Sequence, residues 1–313
     1  YVKDGKFDFE LFSEDIMYYT MFLDANLDYA KFPTDDATRM AQRNRRLGLG
    51  ITGLAHTLIQ LGIQYGSDYS LEFISNIIHI MAEFSAQTSQ VLAEELGFPE
   101  FNDYAEGIQK RRNIATLTIA PTGTTSMIVD TSSGIEPLFS IVIYRKVGGE
   151  YIKLLDPLFF DMLSKYDPPT DMGWSQDGRS GWDVDKCIES IASNHGSLKG
   201  LDWVPKQLRF LFVTTHDLEF TDHIKIQATA QVAMNHKSVG NSISKTINLR
   251  NEATADDILS AYRMAHELGC KGITVYRDGS RQLQVLNTSE DAQRLAEQYA
   301  QECANGSCEV SYE

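Results

Sequence analysis

Cysteine is scarce in this chain, with four in 313 residues, at 187, 270, 303 and 308. So few thiols, placed so late, exclude the disulfide framework of a small secreted domain and lead us to expect a reducing, cytoplasmic setting. Basic charge is scarce as well. Lysine and arginine total 28 against 43 acidic residues, a formal charge of −15. No basic stripe is available to neutralise nucleic-acid phosphates, so a nucleic-acid partner is not expected, and any anionic ligand must be held by local amides and hydroxyls. Long apolar runs are also missing. Nothing approaches the ~18 consecutive apolar residues of a membrane span, and no secretory pattern opens the sequence, so no membrane partner is expected either. Internal repeats and low-complexity stretches are absent. The chain starts at Tyr1 rather than Met, which reads as a fragment, a processed product or a trimmed chain.

What is present is ordinary globular material, 42% hydrophobic and 23% charged, with length enough for a large core and one or two domains. Helical spacing runs from Leu11 to about Phe32. Asp35 and Asp36 open a second helix over residues 37–42, and Ser67 to Leu96 is a long amphipathic helix closed by Gly97 and Pro99. Residues 114–119 alternate as a strand, and residues 209–215 read as a buried strand. Residues 219–234 read as a helix with Ile224, Ala228 and Val232 on one face. Asn241 to Leu249 reads as one polar-alternating strand, Thr254 caps a helix through Glu267, and Gly272 to Tyr276 is a further strand. Residues 156–205 are turn-rich and carry no motif. Strands alternating with helices imply an α/β architecture.

Two stretches invite a nucleotide reading. In Leu47-Gly-Leu-Gly-Ile-Thr-Gly-Leu-Ala55 the glycines at 48, 50 and 53 imitate a dinucleotide fingerprint. Arg43-Asn-Arg-Arg46 precedes them instead of a β-branched strand, so we read them as permitting close helix packing. The second stretch is Ala120-Pro-Thr-Gly-Thr-Thr-Ser-Met-Ile-Val-Asp-Thr-Ser-Ser-Gly-Ile-Glu-Pro-Leu-Phe139. A strand, a tight turn and a helix start would offer unpaired amides and a helix N-terminus to a phosphate, with hydroxyls from Thr122, Thr124, Thr125 and Ser126 beside Gly123. No lysine follows the glycine as a P-loop requires. Taken by its turn chemistry alone, the run reads first as a plain helix cap and only second as a phosphate site.

The whole twenty-residue run resembles the substrate-phosphate loop of ribonucleotide reductase large subunits, in particular the adenosylcobalamin-dependent (class II) branch. Three further stretches fall in the family's order: the Arg-Arg-Leu-Gly-Leu-Gly run at 45–50, Asn241 to Leu249 with its Ser-Lys-Thr-Ile-Asn, and Gly269-Cys-Lys-Gly-Ile-Thr-Val-Tyr-Arg-Asp-Gly-Ser-Arg281. The resemblance implies part of a ten-stranded α/β barrel over residues 1–287 and radical replacement of a ribonucleotide 2′-hydroxyl by hydrogen. It also implies adenosylcobalamin as cofactor and a homo-oligomer when complete. Class I large subunits relay a radical through two adjacent tyrosines on the last of these strands. Val275 stands at one of those places and only Tyr276 remains, which fits local radical generation; by itself Tyr276 reads as a core aromatic.

The tail, 288–313, carries Cys303 and Cys308, five positions apart around Asn-Gly. Spacing leaves open a redox pair or two idle thiols; no histidine lies near enough for zinc, and no metal site is read anywhere. The resemblance implies a mobile shuttle pair that re-reduces the active site and is reduced by thioredoxin or glutaredoxin. The family's Asn-Pro-Cys-Gly-Glu radical loop does not occur. We therefore expect a C-terminal half, inactive without its N-terminal half. A class I fragment served by a separate metal-radical subunit and a non-catalytic nucleotide-binding module are the rival expectations.

Overall fold

The computed structural model describes residues 1–280 apart from 148, 149, 177 and 178. Residue contacts divide it into two compact units, one made of Tyr1–Pro137 with Leu218–Asp278, the other containing Leu138–Asp217.

The first unit begins with a two-rung hairpin, β1 (Val2–Lys3) and β2 (Lys6–Phe7), followed by α1 (Phe9–Tyr29) and α2 (Asp35–Asn44). Asp8 and Thr34 cap these helices by accepting the Leu11 and Ala37 amides. After α3 (Leu54–Gln60) comes α4 (Asp68–Leu96), capped by Ser67 and ended by Gly97. Ile74, Ile77, Ile78, Met81, Ala82, Ser85, Ala86 and Ser89 recur at three- and four-residue spacing and are buried where α4 packs against α1 and α9 (Phe220–Met234). Each fully buried isoleucine or methionine contributes about 1.5–3 kcal/mol. This helix is the unit's spine.

Apart from the antiparallel β1–β2 hairpin, the described strands of this unit are short and pair in parallel. β3 (Leu117–Ile119) leads into α5 (Gly123–Ile128). It pairs with β8 (Gly240–Ile243), and its other edge receives Leu47 and Leu49, whose amides donate to Ala115 and Thr116 carbonyls. β9 (Thr246–Leu249), α10 (Ala255–Glu267) and β10 (Thr274–Arg277) form a β-α-β unit with parallel strands. Its core joins Ile247, Ala261 and Ala265 to Ile224 of α9, with Phe220, Met264, Ile273 and Val275 packed around them. Thr254 and Asp257 cap α10 reciprocally.

The second unit contains the antiparallel hairpins β4 (Val142–Val147) with β5 (Glu150–Leu155) and β6 (Gly173–Gln176) with β7 (Arg179–Trp182). Its helices among the described residues are α6 (Pro157–Leu163), α7 (Val184–Ser193) and α8 (Lys206–Leu211).

Four expectations change. Residues 209–215 are not a strand: Pro205 starts α8, and Leu208 and Leu211 are buried at helical spacing while Phe210 faces solvent. Residues 241–249 are two strands, because Ser244 and Lys245 turn between different partners. Val232 is 64% exposed, whereas Ile224 and Ala228 are buried. The glycines at 48 and 50 serve close approach to a strand rather than to a helix. A Cβ on Gly50 would stand 2.4 Å from the Thr118 carbonyl oxygen.

Candidate functional site

The polar loop after β3 is built as a turn whose strain sits at Thr122. Its φ of 54° and ψ of 25° are left-handed, an uncommon state for a threonine. The side chain does not cap α5. Instead Thr122 Oγ1 accepts the Gly134 amide at 2.7 Å and shares a 2.9 Å hydrogen bond with Thr52 Oγ1, which in turn donates to the Ser132 carbonyl at 2.9 Å. Ser126 is buried, and its hydroxyl pairs with Ser133 Oγ at 2.9 Å. Gly134, at φ +45°, lets the returning chain come close: an added Cβ would meet the Ala120 oxygen at 2.8 Å. Thr122 and Ser126 therefore hold the loop's shape.

The groups left to face solvent are those between them. The first backbone bond of α5 runs from the Ser126 amide to the Thr122 carbonyl at 2.9 Å. The amides of Gly123, Thr124 and Thr125 consequently have no backbone acceptor among the described residues. Thr124 and Thr125 are exposed, with no hydroxyl partner among the described residues. Gly123 has an ordinary φ, and a Cβ there would meet nothing within 4 Å. The glycine thus keeps open space beside the amides and does not shape the turn. With six residues, α5 is too short for its dipole to matter much. The arrangement can accept an anion through three amides and two hydroxyls, without a formal positive charge.

Motifs far apart in sequence close around this loop. Glu136, at its downstream end, accepts Lys245 Nζ at 2.7 Å and the Thr246 amide at 2.7 Å. Lys245 is wholly buried and also contacts His223 Nδ1 at 3.0 Å, an acceptor when the ammonium is charged. Burial pushes the Lys245 pKa down, and the Glu136 carboxylate opposes that shift. Tyr65 donates its hydroxyl to the Ile135 carbonyl at 2.6 Å, and burial pushes the phenol well above its usual pKa. On the opposite edge Asn241 donates to the Leu47 and Leu117 carbonyls, both at 2.9 Å, and accepts from Arg46. The Gly-Ile-Glu-Pro, Ser-Lys-Thr-Ile-Asn and Leu-Gly-Leu-Gly segments are one assembly around β3. Ser132, Ser133 and Gly134 lie within the quoted run 120–139 and Thr52 within the glycine run, but nothing in the sequence gives any of the four a separate role.

The family described as "Ribonucleotide reductase, barrel domain" matches residues 1–276. The chain belongs to that family. Two relatives are named vitamin B12-dependent ribonucleoside-diphosphate reductase. The one from Thermoplasma acidophilum is 38% identical over 292 residues, covering 91% of this chain and 35% of the relative. One from Mycobacterium tuberculosis (strain CDC 1551 / Oshkosh) is 34% identical over 312 residues, covering 98% of this chain and 42% of the relative. The structure of the Actinobacillus ureae class Id ribonucleotide reductase alpha subunit matches with a TM-score of 0.68 at 25% identity, over 84% of this chain and 46% of that one. The chain thus spans 35–42% of the length of these two curated relatives. The α/β barrel-domain fold and the reductase resemblance read from the motifs both hold.

Within this reductase barrel domain, the remaining sequence candidates separate. Cys187 is fully buried on α7, and burial raises its pKa to about 12, so it is a packing thiol. Cys270 is half-buried and packs on the β9–α10–β10 core. Cys303 and Cys308 lie outside the described residues. Val275 packs against that same core, and Tyr276 beside it is half-buried, opposite Asn248 in the register.

Arg45, from the Arg-Arg-Leu-Gly-Leu-Gly run, is buried and structural, as are Arg111 and Arg112. Asp24 accepts Arg45 Nε at 2.8 Å, Arg112 Nε at 2.7 Å and Asn113 Nδ2 at 2.7 Å. Arg111, buried, donates to the carbonyls of Asn113, Ile114, Lys237 and Ser238, and desolvation lowers its pKa to about 10. Among the described residues, no helix is long and apolar enough to cross a membrane.

Proposed function

We propose that this chain is the substrate-phosphate and barrel-wall portion of an adenosylcobalamin-dependent ribonucleotide reductase, with residues 1–287 in the barrel and 288–313 a redox tail. The observation that carries this reading is the 38% identity, over 91% of the chain, to a relative named vitamin B12-dependent. The loop geometry supports it. The amides of Gly123, Thr124 and Thr125, with the Thr124 and Thr125 hydroxyls, receive the terminal phosphate of a ribonucleotide, while Thr122 and Ser126 hold the loop. Each charge-assisted bond of this kind contributes about 1.5–3 kcal/mol.

In the reaction the ribose 2′-hydroxyl leaves as water, hydrogen takes its place, and two thiols are oxidised to a disulfide. The radical cysteine and its partners belong to the part of the reductase outside this chain. Cys303 and Cys308 reduce that disulfide by thiol exchange, becoming a disulfide themselves, and thioredoxin or glutaredoxin reduces them in turn. Adenosylcobalamin supplies the radical when bound. Val275 favours that source over a separate metal-radical subunit, because an aliphatic side chain packed in the β9–α10–β10 core cannot pass a radical along the strand. The working enzyme is a homo-oligomer containing the N-terminal half.

The test uses the complete reductase polypeptide with a ribonucleoside diphosphate and dithiothreitol. Deoxyribonucleotide should form only when adenosylcobalamin is added. Turnover without cobalamin, driven by an iron or manganese radical protein, would overturn the assignment.

A further inference from the structure

We propose that His79, Glu83 and His236 form a binding site for a divalent transition-metal ion of zinc-like preference, which ties α4 to the turn after α9. The inference is independent of the reductase reading. His79 and Glu83 stand four residues apart on α4, hence on one face of the helix. His236 comes from the short turn at 236–238, brought onto that face by packing of the turn against α4. One nitrogen or oxygen from each of the three lies within 4.8 Å of the others. The two imidazole rings are 3.9 Å apart between centroids, and His236 Nε2 is 2.9 Å from Glu83 Oε2. A tetrahedral ion with bonds of ~2.0–2.1 Å sets its ligand atoms roughly 3.3 Å apart, so small side-chain rotations close the site.

Two features make it a prepared arrangement. The first is the rigidity of the turn. Lys237 and Ser238 are non-glycine residues held at φ 55° and 57°, a strained state that persists only when its surroundings enforce it. The buried Arg111 guanidinium does so, donating to the Lys237 and Ser238 carbonyls at 2.7 Å each. The second is an outer partner for the carboxylate. Gln87 donates to Glu83 Oε1 at 2.7 Å, leaving Oε2 directed at His236.

The donor set selects the ion class. Two imidazoles and one carboxylate suit zinc, cobalt or nickel, whereas calcium and magnesium take all-oxygen sets. Water completes the fourth position, since His79 is exposed and the other two half-buried. Without an ion, Glu83 Oε2 is shared between His236 and the Lys237 ammonium, 3.3 Å away. Lys237 is long and partly exposed, so it can swing out as the ion takes its place.

The experiment titrates zinc by calorimetry, and cobalt by visible absorption, into the full 313-residue chain carrying Cys303→Ser and Cys308→Ser, which removes the tail thiols as competing ligands. One equivalent should bind saturably, with the cobalt bands of a low-coordinate nitrogen and oxygen site. Loss of an outer-shell partner alone costs roughly 10–100-fold in affinity, so His79→Gln and His236→Gln should each weaken binding at least tenfold. Circular dichroism should show the His79→Gln fold unchanged. Lys237→Gln, which removes the competing cation, should tighten binding. No saturable binding by the parent chain, or a His79→Gln variant that binds like the parent, would overturn the proposal.

Discussion

Replacing Asp24 by Asn keeps the side chain's size and removes one charge from the centre of a buried network. Asp24 is 2% exposed and is the carboxylate partner of both Arg45 and Arg112. Burial alone would raise its pKa. The hydrogen bonds from Arg45, Arg112 and Asn113, with the Arg45 charge, outweigh burial and hold the pKa below the usual carboxylate range. In the variant Arg112 loses its carboxylate and is left with neutral acceptors such as the Leu96 and Gly97 carbonyls, whereas Arg45 keeps the half-exposed Asp28 carboxylate. Breaking a buried pair from one side costs about 3–5 kcal/mol, and the surviving Asp28 contact places this case near 3. With a urea slope of about 3 kcal/mol/M, the midpoint should fall by about 1 M.

Urea unfolding followed by circular dichroism reads this directly, with Asp28→Asn as the control, expected to cost less than about 1 kcal/mol. The pH dependence has a definite sign. A depressed folded pKa stabilises fully above the unfolded value near 4 and is lost as pH falls through the folded pKa. The gap between parent and Asp24→Asn should therefore be constant from about pH 5 to 8 and shrink below about pH 4. If Asp24→Asn costs no more than Asp28→Asn, the buried Asp24 charge does not hold α1 to Arg112 and Asn113.

Gly50→Ala should destabilise by roughly 1–3 kcal/mol, since its Cβ would stand 2.4 Å from the Thr118 oxygen, whereas Gly123→Ala should leave the melting temperature within about 2 °C; equal effects would refute the distinction drawn between them. Glu136→Gln should cost about 3–5 kcal/mol in thermal or urea unfolding by leaving the Lys245 ammonium buried without its carboxylate, and a cost within the range of a surface pair would contradict the buried-charge reading. In the complete enzyme, Cys303→Ser or Cys308→Ser should abolish thioredoxin-driven turnover, spare about one turnover from a pre-reduced active site and be partly rescued by dithiothreitol; full thioredoxin-dependent activity in the double variant would remove the shuttle role.

The long helices are readable because caps and spacing are local. Ser67 and Gly97 bracket α4, and Thr254 with Asp257 caps the start of α10. Residues 209–215 misled because a short apolar run suits either period, and Pro205, four positions upstream, decides it. The break at Ser244–Lys245 was invisible for another reason. It depends on Glu136, 109 residues away, taking Lys245 out of the alternation. Within the loop of residues 122–126 the residue types are legible in the sequence, but the division of labour among their hydroxyls is not. Thr122 and Ser126 look as available as Thr124 and Thr125 until Gly134 and Ser133 occupy their hydroxyls. The cluster of His79, Glu83 and His236 is split across 157 positions and had no signature beyond a His and a Glu one turn apart.

The most direct test of the central claim is a crystal structure of the complete reductase polypeptide with a bound ribonucleoside diphosphate. The account predicts terminal-phosphate oxygens within about 2.7–3.1 Å of the Gly123, Thr124 and Thr125 amides, with Thr122 Oγ1 still accepting from Gly134. A terminal phosphate bound elsewhere, with these three amides facing only water, would contradict it.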